Sequence, residues 1–281
     1  MKITPIENKL QLSNSGNLEI VFIGVGSAFA TTLHHTNFFI IKGDTHILVD
    51  FGTTGPSALK HLSIDPLDVE VLLPTHSHCD HVGGVEYLTL LNRYVAVNLQ
   101  GRPKIHMIIS EEYQDILWDA TLRGGMEWNE VNQFGSKLVF EDYYDVTRPV
   151  LKESDPRQTL ELDFNGIHLE FFRTNHIPDT AHEANQAFIT YGLMIDGRVF
   201  ISGDTKFDRD LIDQYAESSE VMFHDTSFFP NPVHASLEEL RTLSKKVKKK
   251  MYLMHYSDNW REQNIIDFAG FAKEGVRYIF E

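Results

Sequence analysis

The segment Thr75-His76-Ser77-His78-Cys79-Asp80-His81 places three imidazoles and one carboxylate within six residues. Imidazole nitrogen and carboxylate oxygen are the donors that zinc takes, and manganese accepts the same mixture. The segment directly follows the apolar run Val69-Glu70-Val71-Leu72-Leu73, so it reads as a loop leaving a strand. On such a loop His76 and His78 can face one point, while Asp80 and His81 turn to a second. One cluster does not hold two ions, so further donors are needed downstream. Four places put a histidine or an acid at the end of an apolar run: His176, Asp204, the pair His224-Asp225, and His255. Strand ends that gather at one sheet edge can present these side chains to a shared site. His182 is the weaker rival to His176, because His176 follows its strand closely.

These positions need strands to carry them. Runs rich in Val, Ile, Phe and Tyr predict strands over 18–25, 37–42, 45–51, 69–74 and 104–109. Later strands are predicted over 168–173, 187–195, 198–202, 221–224, 250–255 and 277–280. Asp196-Gly197 reads as a hairpin turn and Asn165-Gly166 as a second turn. Helical periodicity covers 55–62, 85–98, 111–122, 208–217, 236–249 and 265–273. Asp208 is a suitable N-cap, and Ser236 with Glu239 forms a capping box. Strands come consecutively at first and then alternate with helices, which predicts an α/β (α+β) fold of sheets covered by helices. The expectation is one domain over 1–281, with an excursion at 123–163. Its aromatics, Trp128, Phe134, Phe140, Tyr143 and Tyr144, suit a lid or a dimer contact.

Composition narrows the function. The 281 residues carry 25 basic and 40 acidic side chains, a net charge of −15. Binding long nucleic acid needs a basic face that displaces counterions, so no such partner is expected. The cluster Lys245, Lys246, Lys248, Lys249 and Lys250 reads as a solvated helix end that complements the helix dipole. The single cysteine, Cys79, excludes an intramolecular disulfide. No apolar run approaches the roughly 20 residues of a membrane span, and no signal-peptide core opens the sequence. A cytoplasmic protein without a membrane partner is expected.

At the histidine and aspartate positions the chain resembles the metallo-β-lactamase superfamily, whose HxHxDH pattern stands here as His76-Ser-His78-Cys-Asp80-His81. The resemblance runs from Leu18 to the C-terminus and implies a four-layer αββα sandwich with a binuclear centre at the sheet edges. It implies that His76, His78 and His176 bind one metal, that Asp80, His81 and His255 bind a second, and that Asp204 bridges them. Cys79 is expected to point away from the metals as a small packed thiol. Two Zn2+ are implied, with Mn2+ the alternative.

Downstream motifs identify a branch. His224-Asp225-Thr226-Ser227, His234-Ala235-Ser236 and Met254-His255-Tyr256-Ser257 resemble three motifs of ribonuclease Z-like phosphodiesterases, with Asp225 in place of Glu and His-Ala-Ser in place of His-Ser-Thr. Only 28 positions separate His176 from Asp204, which leaves no room for the long arm that grips tRNA. Within the branch, Gly24-Val25-Gly26-Ser27-Ala28-Phe29 followed by Thr36-Asn37-Phe38 resembles the anti-Pycsar enzymes, which destroy cyclic pyrimidine mononucleotides of bacterial antiphage signalling. The resemblance implies a homodimer and hydrolysis of 3′,5′-cyclic mononucleotides, cyclic CMP and cyclic UMP included. Catalytic candidates are Asp80, His224 as general acid and Asp225 as its orienting partner. His234 is expected at the phosphate or against His224, and His34 and His35 are further substrate-contact candidates. The rival functions are a ribonuclease Z-type tRNA 3′-processing endonuclease, another metallo-hydrolase such as a lactonase or thioesterase, and a non-catalytic metal-binding dimer.

Overall fold

The computed structural model describes residues 1–152 and 157–281. Among these, two eight-stranded sheets carry the chain. The first runs, in spatial order, Lys2–Pro5, Val276–Phe280, Leu18–Gly24, Asn37–Lys42, Thr45–Val49, Val71–Leu73, Ile105–Ile108 and Tyr144–Thr147. The second runs Gly270–Phe271, Met251–Met254, Val221–Asp225, Val199–Ile201, Tyr191–Ile195, Ile167–Arg173, Leu160–Phe164 and Val150–Leu151.

The central strands are apolar almost throughout because both of their faces are covered. Every residue of Leu18–Gly24 is buried, and its one acid, Glu19, pairs with Arg277 at 2.6 Å. The sheets meet face to face through Phe22, whose ring centroid lies 4.9 Å from that of Phe223, with Tyr278 edge-on to Phe22. On the far face of the second sheet Phe172 stacks on Phe200, and Tyr215 of the helix Arg209–Ala216 lies 4.8 Å from Phe172. The helix Gly55–His61 packs against the first sheet. The layers are therefore helix, sheet, sheet, helix: the expected αββα sandwich.

Strand direction decides where the candidate donors meet. Thr45–Val49, Val71–Leu73 and Ile105–Ile108 are mutually parallel, as are Val199–Ile201, Val221–Asp225 and Met251–Met254. Their C-terminal ends deliver Asp50, the 75–81 loop, Asp204, Asp225 and His255 to one edge of the sandwich. Both turn signals are realised with positive φ at each residue, Asp196 and Gly197 at 50° and 64°, Asn165 and Gly166 at 49° and 84°. Such angles suit tight two-residue hairpins.

Several elements differ from expectation. The predicted helix 236–249 divides into Leu237–Arg241 and Lys245–Lys248, because Ser244 accepts from the Val247 amide and starts a new helix. Residues 265–273 are not a helix. Asn264 accepts from the Ile266 amide, and Gly270–Phe271 joins the second sheet as an edge strand. The helices from Val85 and Glu111 widen into π-type turns at Asn92–Val97 and Trp118–Leu122. Within 123–163, residues 153–156 lie outside the described ones; Tyr144–Thr147 closes the first sheet, while Val150–Leu151 and Leu160–Phe164 close the second. Phe140, Tyr143 and Tyr144 are core residues, whereas Trp128 and Phe134 are exposed. The lysine cluster is tied down: Lys248 is buried on the Arg241 carbonyl, and Lys246 pairs with Glu217.

One close approach locks the 75–81 loop onto the first sheet. The Asn37 side chain accepts from the Gly52 amide at 2.9 Å and donates to the Asp80 carbonyl at 3.2 Å. A Cβ at Gly52 would stand 1.9 Å from that carbonyl oxygen. Gly52→Ala is therefore expected to cost about 1–3 kcal/mol or more, read as a lower denaturant midpoint; an unchanged midpoint would contradict this packing.

Candidate metal centre

The 75–81 loop, His176 and the ends of two second-sheet strands, which supply Asp204 and His255, bring seven side chains together. His76, His78, His176 and Asp204 form one group, and Asp80, His81, Asp204 and His255 form another; within each group the donor atoms lie within 4.8 Å of one another. In the first group His78 Nδ1 is 3.1 Å from His76 Nε2 and 3.2 Å from His176 Nε2. In the second, Asp80 Oδ2 is 3.2 Å from His81 Nε2 and 3.1 Å from His255 Nε2. Asp204 Oδ2 is common to both: it lies 3.8 Å from His76 and from His176, 3.3 Å from His81 and 3.4 Å from His255.

This donor set fits metal ions. Bonds of about 2.0–2.2 Å in a tetrahedron put donors roughly 3.3–3.6 Å apart, close to the spacings found. The His81 Nε2 atom is buried and has no hydrogen-bond partner among the described residues. A ring nitrogen left so, facing two carboxylates, is arranged for a cation.

The electrostatics agree. Burial pushes the His76 imidazole well below its usual pKa and brings His176 down to about 4, favouring the neutral, ligating form. Burial also opposes charge on His81 and His255, but Asp204 and the other carboxylates around them outweigh it and raise both well above the ordinary value. Burial likewise opposes the Asp204 carboxylate, and His255 and His81 nonetheless hold its pKa well below the usual range. The second group is thus an electronegative cradle in which a divalent cation would displace protons.

A further shell fixes the ring orientations. His81 Nδ1 is 2.7 Å from Asp50 Oδ2, and Asp50 also accepts from the Thr75 amide and hydroxyl, each at 2.7 Å. His176 Nδ1 donates to the Val233 carbonyl at 2.8 Å. Asp225 faces two rings: Oδ1 is 3.3 Å from His255 Nδ1, and Oδ2 is 2.7 Å from His234 Nδ1. His234 also lies against His176, ring centroids 4.8 Å apart. Asp50 was not singled out from the sequence. Its signal was the one that exposed Asp204, an acid immediately after an apolar strand.

Other expectations need correction. His224 does not reach the site. Neighbouring strand residues point to opposite faces, so while Asp225 faces the histidines, His224 is buried beside Phe200 with Nδ1 on the Asp225 carbonyl. Burial lowers the pKa of its imidazole, and it stands outside both donor groups. His34 turns away to Glu274 at 3.2 Å and to the ring of His61. His35 is buried, its amide on Thr54 and its ring near Thr53, close enough to feel the charge of Asp80. His182 stands outside both groups. Cys79 is exposed rather than packed.

The chain is similar to known proteins in both sequence and fold. The family described as anti-Pycsar protein Apyc1 matches residues 18–278. The anti-Pycsar protein Apyc1 of Paenibacillus harenae is 32% identical over 243 residues, covering 86% of this chain and 90% of the relative. That of Bacillus phage BSP38 is 33% identical over 268 residues, covering 93% and 98%. Among solved structures, the metallo-β-lactamase fold protein YhfI of Bacillus subtilis superimposes with a TM-score of 0.66 at 16% identity, covering 94% of this chain and all of that one. Human tRNase Z, short form, gives 0.62 at 16% identity, covering 92% and 98%. At such identity these structures are similar in fold.

Asp50→Asn keeps the shape of the side chain but removes its charge from His81. Partners of this kind change metal affinity by roughly 10–100-fold. The expected outcome is weaker metal retention against a chromophoric chelator, with the fold intact by circular dichroism; undiminished affinity would remove Asp50 from the centre.

Proposed function

This chain belongs to the anti-Pycsar Apyc1 family, and from that premise we propose that it hydrolyses 3′,5′-cyclic mononucleotides, cyclic CMP and cyclic UMP among them, to linear monophosphates. Such an activity would counter cyclic-nucleotide antiphage signalling. The observation that carries the reading is the single oxygen of Asp204 shared by two donor groups, with the His234–Asp225 pair beside them. His76, His78 and His176 would hold one ion, Asp80, His81 and His255 a second, and Asp204 would bridge them. Zinc suits the five histidines best, with manganese the alternative. Two such ions would supply Lewis acidity at the phosphoryl oxygens and lower the pKa of water so that hydroxide is available near neutral pH.

The chain's own residues supply the rest. The ribose oxygen leaves as an alkoxide and needs a proton. His234 is placed to give it: it is part-exposed, leans on two of the proposed ligand rings and is held through Nδ1 by Asp225. Burial opposes its protonation, but Asp225 outweighs this and raises its pKa above 6.5. Asp225 is thus the orienting carboxylate, and the donor is His234 in place of His224.

A tRNA-processing role is not favoured. The chain between His176 and Asp204 is consumed by a turn, the strands Tyr191–Ile195 and Val199–Ile201 and their hairpin. Among the described residues no helix is long and apolar enough to cross a membrane, and the reading is of a cytoplasmic enzyme. It works as a homodimer, whose contact would cover exposed Trp128, Val131 and Phe134.

Chromatography after incubation with cyclic mononucleotides, cyclic dinucleotides and pre-tRNA tests the function. Linear CMP and UMP are expected; cleaved pre-tRNA with intact cyclic mononucleotides would reverse the conclusion. His234→Ala should retain both metals and lower the rate by roughly 10²–10⁴-fold, less for bis-p-nitrophenyl phosphate, whose leaving group needs little protonation. An equal loss on both substrates would remove the proton-donor role.

The pH profile provides a separate check. Because the pKa of His234 is raised, its acid form persists above pH 6.5 and is lost as pH climbs through the raised value. Asp225→Asn removes the cause, so the falling alkaline limb should shift to lower pH. A limb that stays in place would dissociate it from His234.

A further inference from the structure

The loop that carries the first donor group is tied to both sheets. Successive residues of an extended segment point to opposite sides. His76 and His78 turn their rings to His176, and Ser77 between them faces the other way. Its Oγ is 3.1 Å from the hydroxyl of Tyr113, a fully buried residue of the helix Glu111–Leu117. Ser110 caps that helix, accepting from the Tyr113 amide at 3.2 Å, and its hydroxyl lies 3.2 Å from that of Tyr191. Tyr191 opens a strand of the second sheet, and its amide donates to the Thr75 carbonyl at 3.3 Å. Thr75, Tyr191, Ser110, Tyr113 and Ser77 thus close a ring of hydrogen bonds that holds the chain on either side of His76.

The three imidazoles of this group are not equally supported. A metal-ligating histidine is ordinarily aimed by a hydrogen bond on its other ring nitrogen. His76 Nδ1 has Thr75 Oγ1 at 3.1 Å, and His176 Nδ1 has the Val233 carbonyl at 2.8 Å. In His78 it is Nδ1 that faces the other two rings, and its Nε2 has no protein partner among the described residues. The aim of His78 therefore rests on its backbone. On the C-terminal side that backbone is held by the start of the helix Cys79–Val82, where the His78 carbonyl accepts from the His81 and Val82 amides. On the N-terminal side it rests on the bond between Ser77 and Tyr113.

Resting on the two-ion reading above, we propose that Tyr113 is a positioning residue for the first ion: through Ser77 it fixes the backbone that aims His78. The second group draws on other means, since Asp50 and Asp225 hold His81 and His255 by their rings. Loss of the Tyr113 hydroxyl should therefore loosen one ion more than its neighbour. Tyr113→Phe keeps the aromatic ring in the core and removes only the hydroxyl. Ser77 is half-buried, so water can take the vacated place and no polar group is left stranded.

Cadmium NMR of the cadmium-loaded protein tests this, because each group gives its own resonance. Nitrogen donors move that resonance downfield relative to oxygen donors, so the group with three imidazoles is the downfield one. Titration with a chelator, followed at both resonances, reads two affinities. In Tyr113→Phe the downfield ion should be held roughly 3–10-fold more weakly, with the upfield ion weakened less. Ser77→Ala should do the same, and the double variant should lose no more than either, because each removes one and the same bond. Should Tyr113→Phe fail to fold by circular dichroism, Ser77→Ala decides, since its side chain lies partly in solvent. A downfield change below about threefold, an upfield change as large, or additive losses in the double variant overturns the positioning role. Fewer than two resonances from the unaltered protein would overturn the two-ion reading and the positioning role with it.

Discussion

A carboxylate taken out of water must be met by positive charge, and Asp204 is 2% exposed with four histidine nitrogens within 3.8 Å of one of its oxygens. Its desolvation cost governs what surrounds it. It requires the two sheets to bring strand ends to one point, because no single segment supplies enough donors. It also requires tight backbone. Gly203, at φ 60°, lets the chain turn into Asp204 where a Cβ would stand 2.4 Å from the Tyr191 carbonyl oxygen. Asp50 and His255 themselves sit at φ 61° and 57°, a conformation that side chains adopt at a cost of about 1–3 kcal/mol. Both strained residues touch the donor array.

Asp225 plays the complementary part. Its two oxygens divide between His255, which belongs to the second donor group, and His234, which stands outside it. The Thr205 amide donates to it as well, at 3.0 Å. Burial works against its charge, but His234 leads the partners that bring its pKa down to about 2. Stability from this charge is present above the unfolded value near 3.8 and fades as pH falls through about 2. One buried anion thus sets the orientation of both neighbouring rings.

Much of this was legible in sequence for a physical reason: parallel strands end in short loops, so a polar residue after an apolar run marks a sheet edge. That logic located His176, Asp204 and His255 without any knowledge of their neighbours. It failed at His224, because His224 and Asp225 both follow the apolar run and a one-residue step chooses the face. It passed over Asp50 because the predicted strand over 45–51 enclosed it, whereas the strand ends at Val49 and leaves Asp50 at the sheet edge. The strand Leu160–Phe164 escaped because its Glu161 and Asp163 lower its apolar character. The false helix at 265–273 followed periodicity through Gly270, where a side chain's local hydrogen bond and sheet pairing prevail.

The margins of the two sheets carry a different implication. The first ends in the four-residue strands Lys2–Pro5 and Tyr144–Thr147, and the second in the two-residue strands Gly270–Phe271 and Val150–Leu151. An unpaired strand edge is a template on which a foreign chain can add, and its danger grows with its length. Here the long, apolar strands lie inside and only stubs face outward, one of them ending in Pro5. A protein with sixteen strands among its described residues thereby offers little unpaired backbone for cross-β growth.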